Sequence, residues 1–187
     1  MSVASHVPLT IRRATVTAAA PRLMFAGGGT GGHLLPGIAC AEAAQALCPG
    51  TAVTFLGTGR PLEARLLGPR GFAHAALPAA PPSLRPLRFA RFAWRTVRGA
   101  LVARRAVAAF APDLVIGLGG YGCVAPVLAA RWAGIPTVLF EANALPGGAV
   151  RFLAPGARAV FIHFAEAALH LPQGRPRLLG SPLRREL

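Results

Sequence analysis

The stretch Leu23-Met24-Phe25-Ala26-Gly27-Gly28-Gly29-Thr30-Gly31-Gly32-His33-Leu34-Leu35-Pro36-Gly37 decides the fold. Its first four residues are a short apolar run bounded by glycine, the pattern of a buried strand. Beyond the glycines, Leu35 to Leu47 is Ala-rich with helical periodicity. Pro36 suits a first helical turn, where a missing N–H costs nothing. The glycines therefore form a strand-to-helix turn. Five of the six residues from Gly27 to Gly32 are glycine, so the backbone is free to take positive φ and to let a ligand approach closely. The helix beyond presents unpaired N–H groups and a positive dipole end, which suits a phosphate or diphosphate. His33 is the one titratable side chain in the turn.

Gly27, Gly29 and Gly32 also satisfy G-x-G-x-x-G. A dinucleotide site further needs an acidic residue about 20 positions on, to hold ribose hydroxyls. Here the second strand, Ala52 to Leu56, runs instead into a second glycine turn, Gly57-Thr58-Gly59, and the nearest acid, Glu63, lies beyond the strand end. A Walker-type loop is excluded, because the chain contains no lysine. A plain turn without a ligand does not need this much glycine.

Outward from this unit the pattern repeats. A short helix is expected over Leu62 to Leu67 and a weak third strand near Ala75 to Leu77, before a Pro/Ala-rich loop over Pro78 to Pro86. A long helix follows from about Leu87 to Phe110. Strand four, Leu114 to Leu118, leads into a third glycine turn, Gly119-Gly120-Tyr121-Gly122, and a helix from Val124 to Trp132. Strand five, Thr137 to Phe140, ends in Glu141-Ala142-Asn143. A short helix near Val150 and strands near Ala159 to Ile162 and Arg177 to Leu179 complete the reading. Alternating strands and helices imply right-handed βαβ units and a parallel sheet covered on both faces, an α/β Rossmann-like domain. Three glycine turns and the Glu141 segment then meet at the carboxyl ends of the strands, where open α/β sheets bind ligands.

The chain has 187 residues, enough for one full domain, and a formal net charge of +14 from 20 basic and 6 acidic residues. Such a balance points to an anionic partner. Three cysteines without metal-ligand spacing suit a reduced, cytosolic compartment. No apolar run approaches the ~20 residues that span a bilayer. Residues 1–21 carry Arg12-Arg13 in their middle, unlike a signal peptide, and read as a poorly ordered extension ahead of a domain over 22–187.

Two side chains are candidates for acid–base work. His33 titrates near neutrality, and either abstracts a proton or caps the helix and contacts an anion. Glu141, at a strand's carboxyl end, either takes part in the chemistry or balances a nearby arginine. The long helix carries Arg88, Arg91, Arg95, Arg98 and Arg105 in one stripe, with Phe92 and Val102 beside or within it. Phe89, Trp94, Val97 and Leu101 lie on the other side and are expected to pack on the sheet. A basic face with apolar teeth fits a helix lying on an anionic membrane surface; an ordinary solvated face is the alternative. Nucleic acid is disfavoured, because no helix-turn-helix, zinc or aromatic-platform motif accompanies the charge.

The ordered set Gly28-Gly29-Thr30-Gly31-Gly32-His33, Pro36-Gly37, Leu56-Gly57-Thr58, Leu62-Glu63-Ala64, Pro112-Asp113-Leu114-Val115-Ile116-Gly117, Gly119-Gly120-Tyr121, Gly134-Ile135-Pro136, Glu141, Asn143 and Gly180-Ser181-Pro182-Leu183-Arg184 resembles the MurG-type glycosyltransferases of family 28. The resemblance runs from about Arg22 to Arg184 and covers the family's N-terminal half only. It implies the acceptor-binding half of a GT-B fold. The implied activity is inverting transfer of N-acetylglucosamine from UDP-GlcNAc to the undecaprenyl-diphosphate-linked muramoylpentapeptide (lipid I), giving lipid II. By resemblance, His33 and Glu141 stand near the acceptor hydroxyl. Thr30, Gly31, Gly32, Asn143 and Arg184 contact the UDP-sugar, and Gly28, Gly29, Gly119, Gly120 and Tyr121 cradle the acceptor diphosphate. The family fold requires no metal or other cofactor. It also implies a peripheral position on the cytoplasmic face of the bacterial inner membrane, with Arg88, Arg91, Phe92, Arg95 and Arg98 as the surface-facing set. A separate donor-domain chain, as in two-chain glycosyltransferases, or a non-catalytic membrane-surface scaffold are the alternatives. The family's His-Glu-Gln-Asn stretch reads Phe140-Glu141-Ala142-Asn143, its closing Asn is Ser181, and Val150 and Cys123 replace polar residues.

Overall fold

The computed structural model describes residues 20–79 and 86–180, with side chains given from Trp94 onward in the second segment. The expected extension therefore lies almost wholly outside the described residues, as does Arg184; for Arg88, Phe89, Arg91 and Phe92 only the helical backbone is described.

The elements are β1 (Arg22–Ala26), α1 (Gly31–Leu47), β2 (Ala52–Gly57), α2 (Pro61–Leu67), β3 (Ala73–Ala76), α3 (Pro86–Phe110), β4 (Leu114–Gly117), α4 (Val124–Trp132), β5 (Thr137–Glu141), α5 (Gly148–Leu153), β6 (Ala159–Ile162) and β7 (Pro176–Leu178). Among the described residues the strands form one parallel sheet in the order β3-β2-β1-β4-β5-β6-β7. The direction reverses beside β1, between β2 and β4, which puts the first and third glycine turns next to each other at the carboxyl edge.

Strand alternation divides the core into two layers. Met24 and Ala26 face one side, packed with Ala103 and Val107 of α3 and Val127 and Ala130 of α4. Phe25 faces the other, packed with Leu34 and Ile38 of α1 and Leu67 of α2. Phe25 stacks on Phe55 with centroids 5.0 Å apart, and Phe55 meets Phe72 at 5.3 Å. Phe55 is thus the centre of a three-ring cluster. Phe55→Ala should lower unfolding free energy by about 3–5 kcal/mol, read as a lower urea midpoint with the slope unchanged.

Two expectations need correction. First, α1 starts at Gly31 rather than Leu35, so Pro36 falls in its second turn. Pro36 leaves the Gly32 carbonyl without its usual i+4 donor, a cost tolerated close to a helix start. Second, Trp94, Val97 and Leu101 do not pack on the sheet. Trp94 is 63% exposed, and the other two are more than half exposed. The buried stripe of α3 is Gly99, Ala103 and Val107, flanked by partly buried Val102, Ala106 and Phe110. The reason is close approach: a side chain on Gly99 would begin 2.5 Å from the Pro78 carbonyl oxygen. Small residues let the helix seat, and its large apolar side chains are left outside.

Candidate active site

The first glycine turn leaves β1 with positive φ at Gly27, Gly28 and Gly29. At Gly27 the need for glycine is double, because φ is +105° and a side chain there would begin 2.6 Å from the Gly119 carbonyl oxygen. Thr30 is the N-cap of α1, but its side chain makes no capping bond. The N–H groups of Gly31 and Gly32 carry no hydrogen bond among the described residues. They are left for an anion, at the positive end of a 17-residue helix.

The Thr30 hydroxyl lies 3.3 Å from Nδ1 of His33. The third turn closes on the other side of this ring. Gly119 (φ +89°) approaches so closely that a side chain there would begin 3.1 Å from His33 Cδ2 and Nε2. His33 therefore sits between the two turns, half-buried. Burial lowers its pKa from the ordinary value, and the charge of Glu141 partly opposes this. The ring is held neutral at physiological pH, the form that accepts a proton.

Glu141 ends β5 and is only 3% exposed. Its Oε1 accepts hydrogen bonds from the Asn143 backbone N–H at 2.9 Å and from Asn143 Nδ2 at 2.7 Å. Its Oε2 accepts from the Gly147 N–H at 2.9 Å. With three donors engaged, the carboxylate folds the 142–147 loop over the edge of the sheet and aims the exposed Asn143 amide. Gly120 and Tyr121 lead into a short 3-10 turn, Tyr121–Cys123, ahead of α4. Cys123 is buried there, its Sγ donating to the Gly120 carbonyl at 3.1 Å. Burial pushes its thiol up to about 12, so it is an inert packing residue.

Glu63 was the one acid available for ribose recognition, and the structure commits it elsewhere. Its Oε1 accepts from Thr58 N–H at 2.9 Å and from the Thr58 hydroxyl at 3.0 Å, and its Oε2 accepts from Gly59 N–H at 2.8 Å. This buried carboxylate locks the second glycine turn. Its position three residues after the α2 N-cap, Arg60, was the available signal, since an acid there commonly reaches back to amides before the helix.

A strand-turn-helix with open amides, a second turn locked by Glu63 and a third turn pressed on a neutral histidine define the edge. The family model for the glycosyltransferase family 28 N-terminal domain matches residues 23–162, which contain all of these parts. The chain belongs to glycosyltransferase family 28. Over 171 residues it is 41% identical to the UDP-N-acetylglucosamine--N-acetylmuramyl-(pentapeptide) pyrophosphoryl-undecaprenol N-acetylglucosamine transferase of Geobacter metallireducens, covering 89% of this chain and 46% of that protein. The solved structure of MurG from Acinetobacter baumannii superposes with a TM-score of 0.71 at 26% identity, covering 89% of this chain and 46% of the other. A UDP-N-acetylglucosamine 2-epimerase from Rickettsia bellii, at 15% identity and TM-score 0.64 over 87% and 45% of the two chains, shares the fold alone. The family 28 chain thus spans about half the length of the relatives it matches. Its architecture is that of the N-terminal, Rossmann-like half of a GT-B fold.

The apolar face of α3 is continued by Trp132, which ends α4 and is 73% exposed. Between the two helices runs an open groove of about 830 Å³, lined by Leu101, Arg104, Arg105, Ala108, Trp132 and Ile135 among others. The Arg98 guanidinium lies over the Trp94 ring, 5.8 Å from its centroid. Arg98 and Trp94 therefore share one patch of α3, and Arg104, Arg105 and Trp132 share the groove between the helices. Among the described residues no helix is long and apolar enough to cross a membrane.

Proposed function

We propose that this chain is the acceptor-binding half of an inverting N-acetylglucosaminyltransferase that moves GlcNAc from UDP-GlcNAc to lipid I, giving lipid II for peptidoglycan synthesis. The observation that carries the reading is the meeting of the first and third glycine turns on either side of His33, in a chain 41% identical to an enzyme named for that transfer.

In this reading Gly28 and Gly29 of the first turn and Gly119, Gly120 and Tyr121 of the third hold the acceptor diphosphate. The muramoyl 4-hydroxyl lies against His33. As its oxygen attacks the anomeric carbon, the bond to UDP breaks with inversion, and the hydroxyl proton passes to the neutral imidazole. Glu141 acts through others: it fixes Asn143 and supports the imidazolium that forms. Thr30, Gly31, Gly32 and Asn143 meet the donor sugar nucleotide across the cleft, and Arg184 joins them. A donor-binding domain outside these 187 residues completes the site.

The same half docks on the membrane that carries the acceptor. Trp94, Leu101 and Trp132 enter the interface, and Arg95, Arg98 and Arg105 meet anionic headgroups on its cytoplasmic side. The exposed tryptophans favour this over a purely solvated face.

Equilibrium binding of a soluble lipid I analogue to the chain alone tests the acceptor assignment. Saturable binding, lost on Gly119→Val, which drives a side chain into the His33 ring, is the expected result. Absence of saturable binding by the folded chain, or indifference to that substitution, would sink the assignment.

A further inference from the structure

The second glycine turn is held from one end and reaches out at the other. Glu63 fastens the Thr58 and Gly59 amides from below. Arg60 follows as the N-cap residue of α2, with extended backbone, and Pro61 fixes its exit into the helix. From this anchored position Arg60 crosses to the first turn. Its Nη1 donates to the Gly29 carbonyl oxygen at 2.8 Å. Its Cδ and Nε both lie 3.5 Å from the point where a Gly29 side chain would begin, so the guanidinium is laid along the glycine backbone.

A guanidinium carries five N–H donors in a planar fork. Among the described residues Arg60 uses one nitrogen, and no carboxylate pairs with it. The side chain is exposed. Its spare donors and full positive charge therefore stand beside the turn whose Gly31 and Gly32 amides are also open. The bond to Gly29 occupies a carbonyl oxygen that would otherwise repel an anion at this spot. Planar, paired donors match phosphate oxygens better than a point charge does.

We infer that Arg60 is a diphosphate-binding residue of this site: one nitrogen holds the first glycine turn in shape while the free donors grip phosphate oxygens. The inference rests on reading the glycine turns as a diphosphate site. It assigns the second turn, which packs against the third at Thr58 and Gly122, a part in ligand binding.

Inorganic pyrophosphate, farnesyl diphosphate and UDP are each titrated into the ¹⁵N-labelled chain. The arginine Nε–H resonance that disappears in Arg60→Lys is followed. Dissociation constants are compared for the wild type, Arg60→Gln and Arg158→Gln, the last a control at the amino end of β6. The Arg60 resonance should shift saturably with pyrophosphate, and Arg60→Gln should weaken binding about tenfold or more, the effect of losing a charge-assisted bond. Arg158→Gln should change it little. A farnesyl diphosphate response without a UDP response assigns the diphosphate to a lipid, and the reverse assigns it to a nucleotide; both uphold the contact. Binding by the wild type with an unmoved resonance and an unaffected Arg60→Gln would overturn the role of Arg60 and leave the diphosphate site standing. Equal loss in Arg60→Gln and Arg158→Gln would also overturn it, since that marks diffuse attraction to a basic chain. No saturable binding of any probe by the wild type would overturn both. The resonance is read in the wild type, so a folding defect in Arg60→Gln does not remove the test.

Discussion

Replacing His33 with alanine, in this chain combined with a family 28 donor domain, should lower kcat for GlcNAc transfer by about 10²–10⁴-fold, the usual contribution of a positioned general base. The KM for the acceptor should change far less, because the glycine turns proposed to hold its diphosphate remain. The pH profile carries the sign. In the proposed mechanism transfer requires neutral His33, and burial lowers its pKa below the ordinary value. Activity should therefore persist as pH falls through about 6.5, the unperturbed imidazole value, and fail only at lower pH. The Glu141 charge raises the His33 pKa, so Glu141→Gln should move the acidic limb further down. A limb at or above the ordinary value, or His33→Ala with near-normal kcat, would remove His33 from the proton transfer.

Substituting both Trp94→Glu and Trp132→Glu should weaken sedimentation with anionic vesicles by about 100-fold or more, since a buried apolar side chain contributes about 1.5–3 kcal/mol and each new carboxylate is repelled. Arg98→Gln with Arg105→Gln should weaken it by about fivefold per charge, at about 1 kcal/mol for each basic residue near the surface. Vesicles of neutral lipid should bind weakly at the outset. Vesicle binding that ignores the tryptophan pair would leave α3 a solvated face and detach the membrane from this surface.

The βα order was readable because glycine and apolar runs punctuate it. α4 falls on the residues expected, Val124–Trp132, and β1, Arg22–Ala26, adds one residue to the apolar run. So was the convergence of the glycine turns, which follows from parallel strands whose carboxyl ends share one edge. The seat of α3 was not readable. A periodicity argument weights large apolar residues, and it put Trp94, Val97 and Leu101 inward. The contact is made instead by Gly99, Ala103 and Val107, whose small volume is what allows it. The membrane reading gains from this difference, since exposed tryptophans now stand beside the arginines.

Side-chain bonds to backbone amides were the other blind spot. Glu63 lies beyond the strand end, out of place for a ribose ligand, and only the structure shows that its carboxylate holds Thr58 and Gly59. Glu141 reads from sequence as either a participant in the chemistry or a partner for an arginine, and its oxygens accept from Asn143 and Gly147. Sequence lists the carboxylates but not the amides that a turn delivers to them. Arg60 escaped notice for the same reason, because its partner is the carbonyl of Gly29, 31 positions away.

The most direct measurement is transfer of radiolabelled sugar from UDP-GlcNAc to a lipid I analogue, run with the chain alone and with a family 28 donor domain added. Transfer that depends on both halves, and falls with His33→Ala, is the expected result. No transfer by the folded chain in confirmed complex with an active donor domain would contradict its assignment as the acceptor half of a GlcNAc transferase.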